Sequence, residues 1–203
     1  MARLRGLGAH HEQRRDDIAS AVLEVVADSG LAAVSLSSVA ARAGISQGRV
    51  QHYFPTKEAL LEAAFDHANA RSAARIRAEL GEEAETAPPR QALTVVLTEL
   101  IPHDAQSANH LRVRQAFAAL ALHREAIADR MRGEYERLHH HHLADLVRRD
   151  QAASALPHDL DAADTALSLV ALAEGLAYHV LIGTCPGPTA RRLVREAVDR
   201  LYS

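Results

Sequence analysis

In the stretch AGISQGRVQHYFPTKEAL, Gln47, Arg49 and Gln51 recur at every second position, and each side chain carries paired hydrogen-bonding groups. An amide can make two hydrogen bonds to an adenine edge and a guanidinium two to a guanine edge, so these residue types suit the reading of duplex DNA. Such chemistry needs a rigid support of the right width. A helix from Ser46 to Tyr53 would be about 12 Å long and 10 to 12 Å across, which matches a major groove about 12 Å wide. If Val50, Tyr53 and Phe54 anchor it, Gln47, Arg49 and Gln51 point away from the protein. Gly48 lacks a side chain and allows close approach, and the free amides beginning at the Ser46 cap attract phosphate weakly.

Other residues invite other chemistry. Gly44-Ile45-Ser46-Gln47-Gly48 fits G-x-S-x-G, the nucleophile elbow of hydrolases, and Asp and His residues follow it. That elbow requires a strand before the serine, whereas SLSSVAARA has helical spacing. The tract His139–His142, with Asp145 and Glu136 within a turn or so, has metal-ligating side chains. Four consecutive residues spread over most of a helix circumference and cannot all face one ion, so no metal and no cofactor are expected. Cys185, the single cysteine, excludes an intramolecular disulfide and is expected to be a small packing residue. No P-loop or dinucleotide-binding glycine pattern is present, and no enzymatic activity is expected.

The supporting elements are legible around the short helix. Ile18, Ala21, Val22, Val25 and Val26 follow the spacing of one helical face, and Ser29-Gly30 supplies a stop. Ser35 can cap a second helix bearing Leu36, Val39, Ala40 and Ala43, and Gly44 offers the left-handed residue that ends it. Pro55 terminates the third helix, and Thr56 caps a long fourth one striped by Leu61, Ala64, Phe65 and Ala68. An acidic, proline-containing break, GEEAETAPPR, follows Leu80. Beyond it the pattern predicts helices over roughly Arg90–Leu100, Ala108–Leu122, Glu125–Arg149, Leu160–Ile182 and Thr189–Leu201. No segment alternates long enough to be a strand, so an all-α chain of about nine helices is expected. The divisions are 1–57, an arm and three-helix unit; 58–80, a connecting helix; and 81–203, a helical domain.

Composition bounds the partners. The chain of 203 residues is 48% hydrophobic but only 3% aromatic, which favours helices packed over small side chains. Its net charge of -3 hides a division: residues 1–57 carry 7 basic against 5 acidic side chains, and the remainder 16 against 21. A polyanion could meet the N-terminal part, including its arginine-rich first fifteen residues, while repulsion prevails elsewhere. The longest apolar run, Ala166–Gly183, contains Glu174 and His179, so no membrane span is expected, and the N-terminus lacks the apolar core of a signal peptide. A cytoplasmic location follows as the expectation.

Residues 12–60, and AGISQGRVQHYFPTKEAL above all, resemble the helix-turn-helix of the TetR family of bacterial transcriptional repressors. The C-terminal part is similar to the family's all-helical regulatory domain, in its betaine-regulator form. The resemblance implies base-edge contacts from Gln47 and Arg49, and DNA-backbone contacts from Ser35, Ser46, His52, Tyr53 and Lys57. Gln51 stands where the family often has tyrosine, and Ser37 where arginine is frequent, so the family's phosphate contacts do not carry over at those two places. Phe54 is expected in the core. A monomer would touch half of a symmetric operator, so a homodimer is expected. Its interface is assigned to the last two helices, through Leu167, Val170, Ala171, Ala177 and Leu181 on one and Leu193, Ala197 and Leu201 on the other. The resemblance also implies a small-molecule effector, for which His110, Arg114, Phe117, Tyr135, Glu174 and Tyr178 are the candidates because they place polar or aromatic groups among Ala/Leu surfaces. The implied function is a repressor that binds a palindromic operator and is released by an inducer. The alternative is a helical small-molecule-binding protein with no transcriptional role.

Overall fold

The computed structural model describes the backbone of residues 2–81 and 86–203, and the side chains of residues 10–81, 86–138 and 141–203. The side chains of Arg3, Arg5, His139 and His140, and residues 82–85 of the boundary loop, lie outside the described residues. Within them the chain is helical, without a strand. The first helix, α1, covers Ala2–Ser29, so a backbone helix replaces the N-terminal arm. It ends at Gly30, whose φ of 77° is open to glycine. A 3₁₀ turn over Leu31–Ala33, which the periodicity does not reveal, leads to α2, Leu36–Ala43. Next come α3, Gln47–Tyr53, and α4, Lys57–Leu80.

The second half holds α5, Pro89–Glu99; α6, Ala105–Ala121; and α7, Glu125–Glu136. A π-helical segment, Arg137–Leu143, joins α7 to α8, Ala144–Ala152. These three pieces form the one rod predicted over 125–149, with the histidine tract widened to i→i+5 spacing. The last helices are α9, Ala162–Leu181, and α10, Gly187–Asp199. With the α7–α8 rod taken as one, nine helices stand among the described residues, as the sequence implied.

Two compact units result. One comprises Met1–Arg71 with Arg112–Phe117, the other Ser72–Leu111 with Ala118–Ser203. In the first, Ile18, Val22, Val39, Val50, Phe54, Leu60 and Ala64 are all at most 1% exposed. Each of the larger ones contributes about 1.5 to 3 kcal/mol by burial. Phe65 of α4 stacks on Phe117, with centroids 4.7 Å apart. Polar ties brace the helices: Arg42 meets Asp28 at 2.5 Å and Glu24 at 3.3 Å, and His67 meets Ser20 at 3.0 Å and Asp16 at 3.4 Å.

The second unit is built around Leu93, Leu97, Ile101, Leu143, Val147, Val170, Ala173, Val194 and Val198, with Cys185 packed at its edge. Polar networks brace it as well. At the end of α4, Arg75 Nε donates to Glu99 Oε1 at 2.7 Å, and Nη2 lies 2.6 Å from the same oxygen without hydrogen-bond alignment. Ser72 Oγ donates to that oxygen at 3.1 Å, and Arg75 Nη1 to Gln106 at 3.3 Å. Near the C-terminus, Tyr202 Oη donates to the buried Asp150 at 2.5 Å while Arg90 lies over the Tyr202 ring.

Candidate functional site

The short helix is set by its ends. Ser35 caps α2 in a reciprocal box with Ser38: its Oγ accepts from the Ser38 amide at 3.1 Å, and Ser38 Oγ accepts from the Ser35 amide at 2.9 Å. Gly44 closes that helix at φ 65°, ψ 32°, and the Ile45 amide reaches back to the Ala40 carbonyl at 3.1 Å. This turn reverses the chain within three residues and delivers Ser46 at the start of α3. Ser46 is the cap, its Oγ accepting from the Arg49 amide at 3.3 Å, so the regular helix begins one residue later than the span 46–53.

What faces inward and outward follows from one turn of periodicity. Val50 is fully buried and Phe54 is 1% exposed, so Phe54 is the core residue expected. Ser46, Gln47, Gly48, Arg49, Gln51 and His52 are all exposed. Tyr53 is half-buried, its ring flanked by His11 at 4.8 Å and edge-on to His52 at 5.4 Å. Gly48 would offer a Cβ nothing within 4 Å, so its value there lies toward whatever meets the helix. Lys57 is half-buried and donates to the Leu31 carbonyl at 3.3 Å, tying α4 to the 3₁₀ turn; two ammonium protons remain for other acceptors. Ser35 spends its hydroxyl on capping.

Arg15 of α1 makes two long-range contacts. Arg15 Nη1 donates to the Tyr53 carbonyl at 3.2 Å, and its guanidinium lies 4.5 Å from the Phe54 ring centroid. His11 and Arg15 are four residues apart on α1, a spacing that puts both on one face, yet nothing local names the end of α3 as their partner.

The hydrolase alternative fails on geometry, since Ser46 follows a helix and caps another, and the described residues hold no strand to raise a nucleophile. Among the described residues no group of three His, Cys, Asp or Glu side chains is placed to hold a metal, and no helix is long and apolar enough to cross a membrane.

In the second unit, Tyr135 Oη donates to Glu174 Oε1 at 2.9 Å, joining α7 to α9. Tyr178, one turn further on α9, is 48% exposed. His110 and Arg114 are half-buried on α6, and Phe117 is a fully buried core residue of the first unit. Of the eight residues assigned to the last-helix face, Val170, Ala177 and Ala197 belong to the unit's own core. Leu181, Leu193 and Leu201 are half-buried. The exposed apolar stripe of α9 and its C-cap is Leu167, Ala171, Tyr178 and Ile182, with Leu167 51% and Ile182 51% exposed. Beside it an open groove of about 370 Å³ is lined by Leu160, Asp161, Asp164, Thr165, Ser168, Leu169, Leu172, Ala197 and Leu201.

Comparison with known proteins agrees with this layout. Residues 18–64 match the family described as bacterial regulatory proteins, tetR family, and residues 89–203 match the BetI-type transcriptional repressor C-terminal family. A relative, the HTH-type transcriptional regulator BetI of Burkholderia mallei, is 30% identical over 196 residues, 95% of both chains. A putative TetR-family transcriptional regulator from Rhodococcus sp. superimposes with a TM-score of 0.80 at 28% identity, covering 95% of this chain and all of that one. A putative transcriptional regulator from Saccharomonospora viridis, solved in complex with choline, shares the fold at a TM-score of 0.77 and 23% identity, covering 93% of this chain and 95% of the other.

Proposed function

Since the chain belongs to the TetR family of bacterial transcriptional regulators, with a C-terminal region of the BetI type, we propose that it works as a dimeric repressor that reads a palindromic operator and lets go when a small molecule binds. Membership makes it a regulator, and it removes the alternative of a binding protein without a transcriptional role. Members of the family bind DNA and small-molecule effectors. The observation that carries the operator reading is the outward polar face of α3, with Val50 and Phe54 buried behind it. In this reading Gln47 and Arg49 meet base edges, Gln51 lies alongside them, and Ser46, His52, Tyr53 and Lys57 meet the DNA backbone. Ser35 acts at one remove, by fixing the start of α2.

Residues 1–57 serve as the reading head, 58–80 as the connecting helix and 81–203 as the effector and dimer domain. Two reading heads spaced about 34 Å apart are needed for successive major grooves. The Leu167, Ala171, Tyr178 and Ile182 stripe supports a two-fold interface, because an apolar strip of this kind on a regulator calls for cover. Tyr135 and Glu174 support a cationic effector: a carboxylate supplies charge and an aromatic ring supplies a π face, the combination that holds quaternary ammonium groups. The choline bound by the Saccharomonospora neighbour is of that class. His110, Arg114, Phe117 and Tyr178 remain proposed contributors. Effector binding that favours one pose of α4 would misplace the heads.

The test is titration of the purified protein against the duplex upstream of its own coding region, beside a scrambled duplex, over a range of salt with and without choline. Tight, sequence-dependent binding that choline weakens is the expected result. Equal affinity for both duplexes at all salt concentrations would refute the operator reading, and insensitivity to choline would refute the cationic effector.

A further inference from the structure

Resting on the operator reading above, we propose that Arg15 of α1 is a positioning residue for sequence recognition: it clamps the C-terminal end of α3 and so sets the angle at which Gln47 and Arg49 are presented. A helix of seven residues is too short to hold its own geometry in water, so its pose depends on its anchors. The N-terminal end is fixed by the Ser46 cap and the tight turn before it. The inner face is fixed by Val50 and Phe54. At the C-terminal end no following turn supplies N–H groups to donate to the last carbonyls, and a partial negative charge gathers there.

Arg15 answers both needs with one side chain. Nη1 donates to the Tyr53 carbonyl at 3.2 Å, and the guanidinium plane covers the Phe54 ring at 4.5 Å. A hydrogen bond to the last helical carbonyl fixes the helix along its axis, and a planar cation over the adjacent ring limits its rotation. One turn earlier on α1, His11 packs on the Tyr53 ring at 4.8 Å, extending the same clamp. The Arg15–Tyr53 bond spans 38 residues of sequence and joins the two helices whose relation decides where the reading face points. Arg15 is exposed, so direct contact with a phosphate is the rival that the experiment has to separate from positioning.

Positioning and phosphate contact predict different behaviour. A lysine keeps the charge for a phosphate but loses the planar fork that serves the carbonyl and the ring together. The experiment selects a duplex from a randomised pool with the wild-type protein, then measures its affinity beside a scrambled duplex across salt for Arg15→Ala, Arg15→Lys and Gln47→Ala. Amide hydrogen exchange is followed in the same variants. The expected result is about a tenfold loss of discrimination for both Arg15 variants, with the salt slope unchanged. Faster exchange at the Phe54 amide, which bonds the Val50 carbonyl at 2.8 Å, is expected while the Val39 amide of α2 keeps its rate. Rescue by Arg15→Lys, a uniform loss for both duplexes with a shallower salt slope, or unaltered exchange in α3 would overturn the clamp. If Gln47→Ala loses discrimination while Arg15→Ala keeps it, the clamp alone is wrong. If the wild type selects no sequence, the operator reading and the clamp fall together.

Discussion

Glu99→Ala should be among the most damaging single changes in the second unit, and the structure gives the size. The Glu99 side chain is 6% exposed and that of Arg75 25% exposed, so both charges are largely out of water. Removing the carboxylate strands a guanidinium and leaves Ser72 without its acceptor, a loss of about 3 to 5 kcal/mol for a buried pair. Arg75 retains some solvent and its 3.3 Å contact with Gln106, which places the expected loss near the lower end, about 3 kcal/mol. For a chain of this length that corresponds to a fall of roughly 6 to 12 °C in Tm. Thermal unfolding at fixed protein concentration measures it. Because the cost comes from a stranded charge, Arg75→Met together with Glu99→Leu should recover most of the loss, the pair being replaced by apolar groups of similar volume. A Tm within 2 °C of wild type for Glu99→Ala, or a double variant worse than the single, would refute the reasoning. The same contact anchors residues 72–80 of α4, so Glu99→Ala should also blunt the response of operator affinity to effector.

Three further outcomes are expected. Gly44→Ala places a side chain at φ 65° where a Cβ would meet nothing within 4 Å, so the cost is backbone strain alone, about 1 to 2 kcal/mol by urea denaturation; Gly44→Asn should cost much less, and equal stability of all three would contradict the left-handed cap. Burial first, and the hydrogen bond to Asp150 second, hold the Tyr202 phenol well above its ordinary range. Its contribution is therefore intact below the unfolded pKa near 10 and lost as pH rises above that; Tyr202→Phe should flatten the alkaline limb of the stability profile, and an unchanged limb would count against the pairing. If the proposed dimer uses the α9 stripe, Leu167→Glu together with Tyr178→Glu should convert it to a monomer in sedimentation at micromolar concentration; a dimer that persists in the variant would move the interface elsewhere, and a monomeric wild type would refute the dimer itself.

The elements that were legible are those whose signals are local. Ser35, Gly44, Ser46 and Pro55 each act within four residues, and the helix ends they imply are where the structure has them. Ile18, Val22, Val39 and Val50 announce their burial by spacing alone. The family resemblance added what spacing cannot, that an exposed polar helix of this kind reads DNA. What stayed hidden depends on contacts distant in sequence. Arg15 and Tyr53 are separated by 38 residues, and no pattern near either names the other. On α9 the apolar residues run nearly all the way round, so periodicity could not tell Val170 and Ala177, turned into the unit's own core, from Leu167 and Ile182, turned out of it. The stacking of Phe117 on Phe65, 52 residues apart in sequence, was equally out of reach of spacing. The widened π turn at Arg137–Leu143 gives no sign in a sequence whose polar and apolar residues fit an ordinary helix equally well.

The most direct measurement is base discrimination by single variants of the short helix on a selected operator. Gln47→Ala and Arg49→Ala should each lose about 1 to 3 kcal/mol of preference for the operator over single-base-pair variants, each at its own position, while Lys57→Ala weakens all duplexes alike and lowers the salt slope by about one. If Gln47→Ala and Arg49→Ala keep the full wild-type preference at every base pair, the outward face of α3 does not read the sequence.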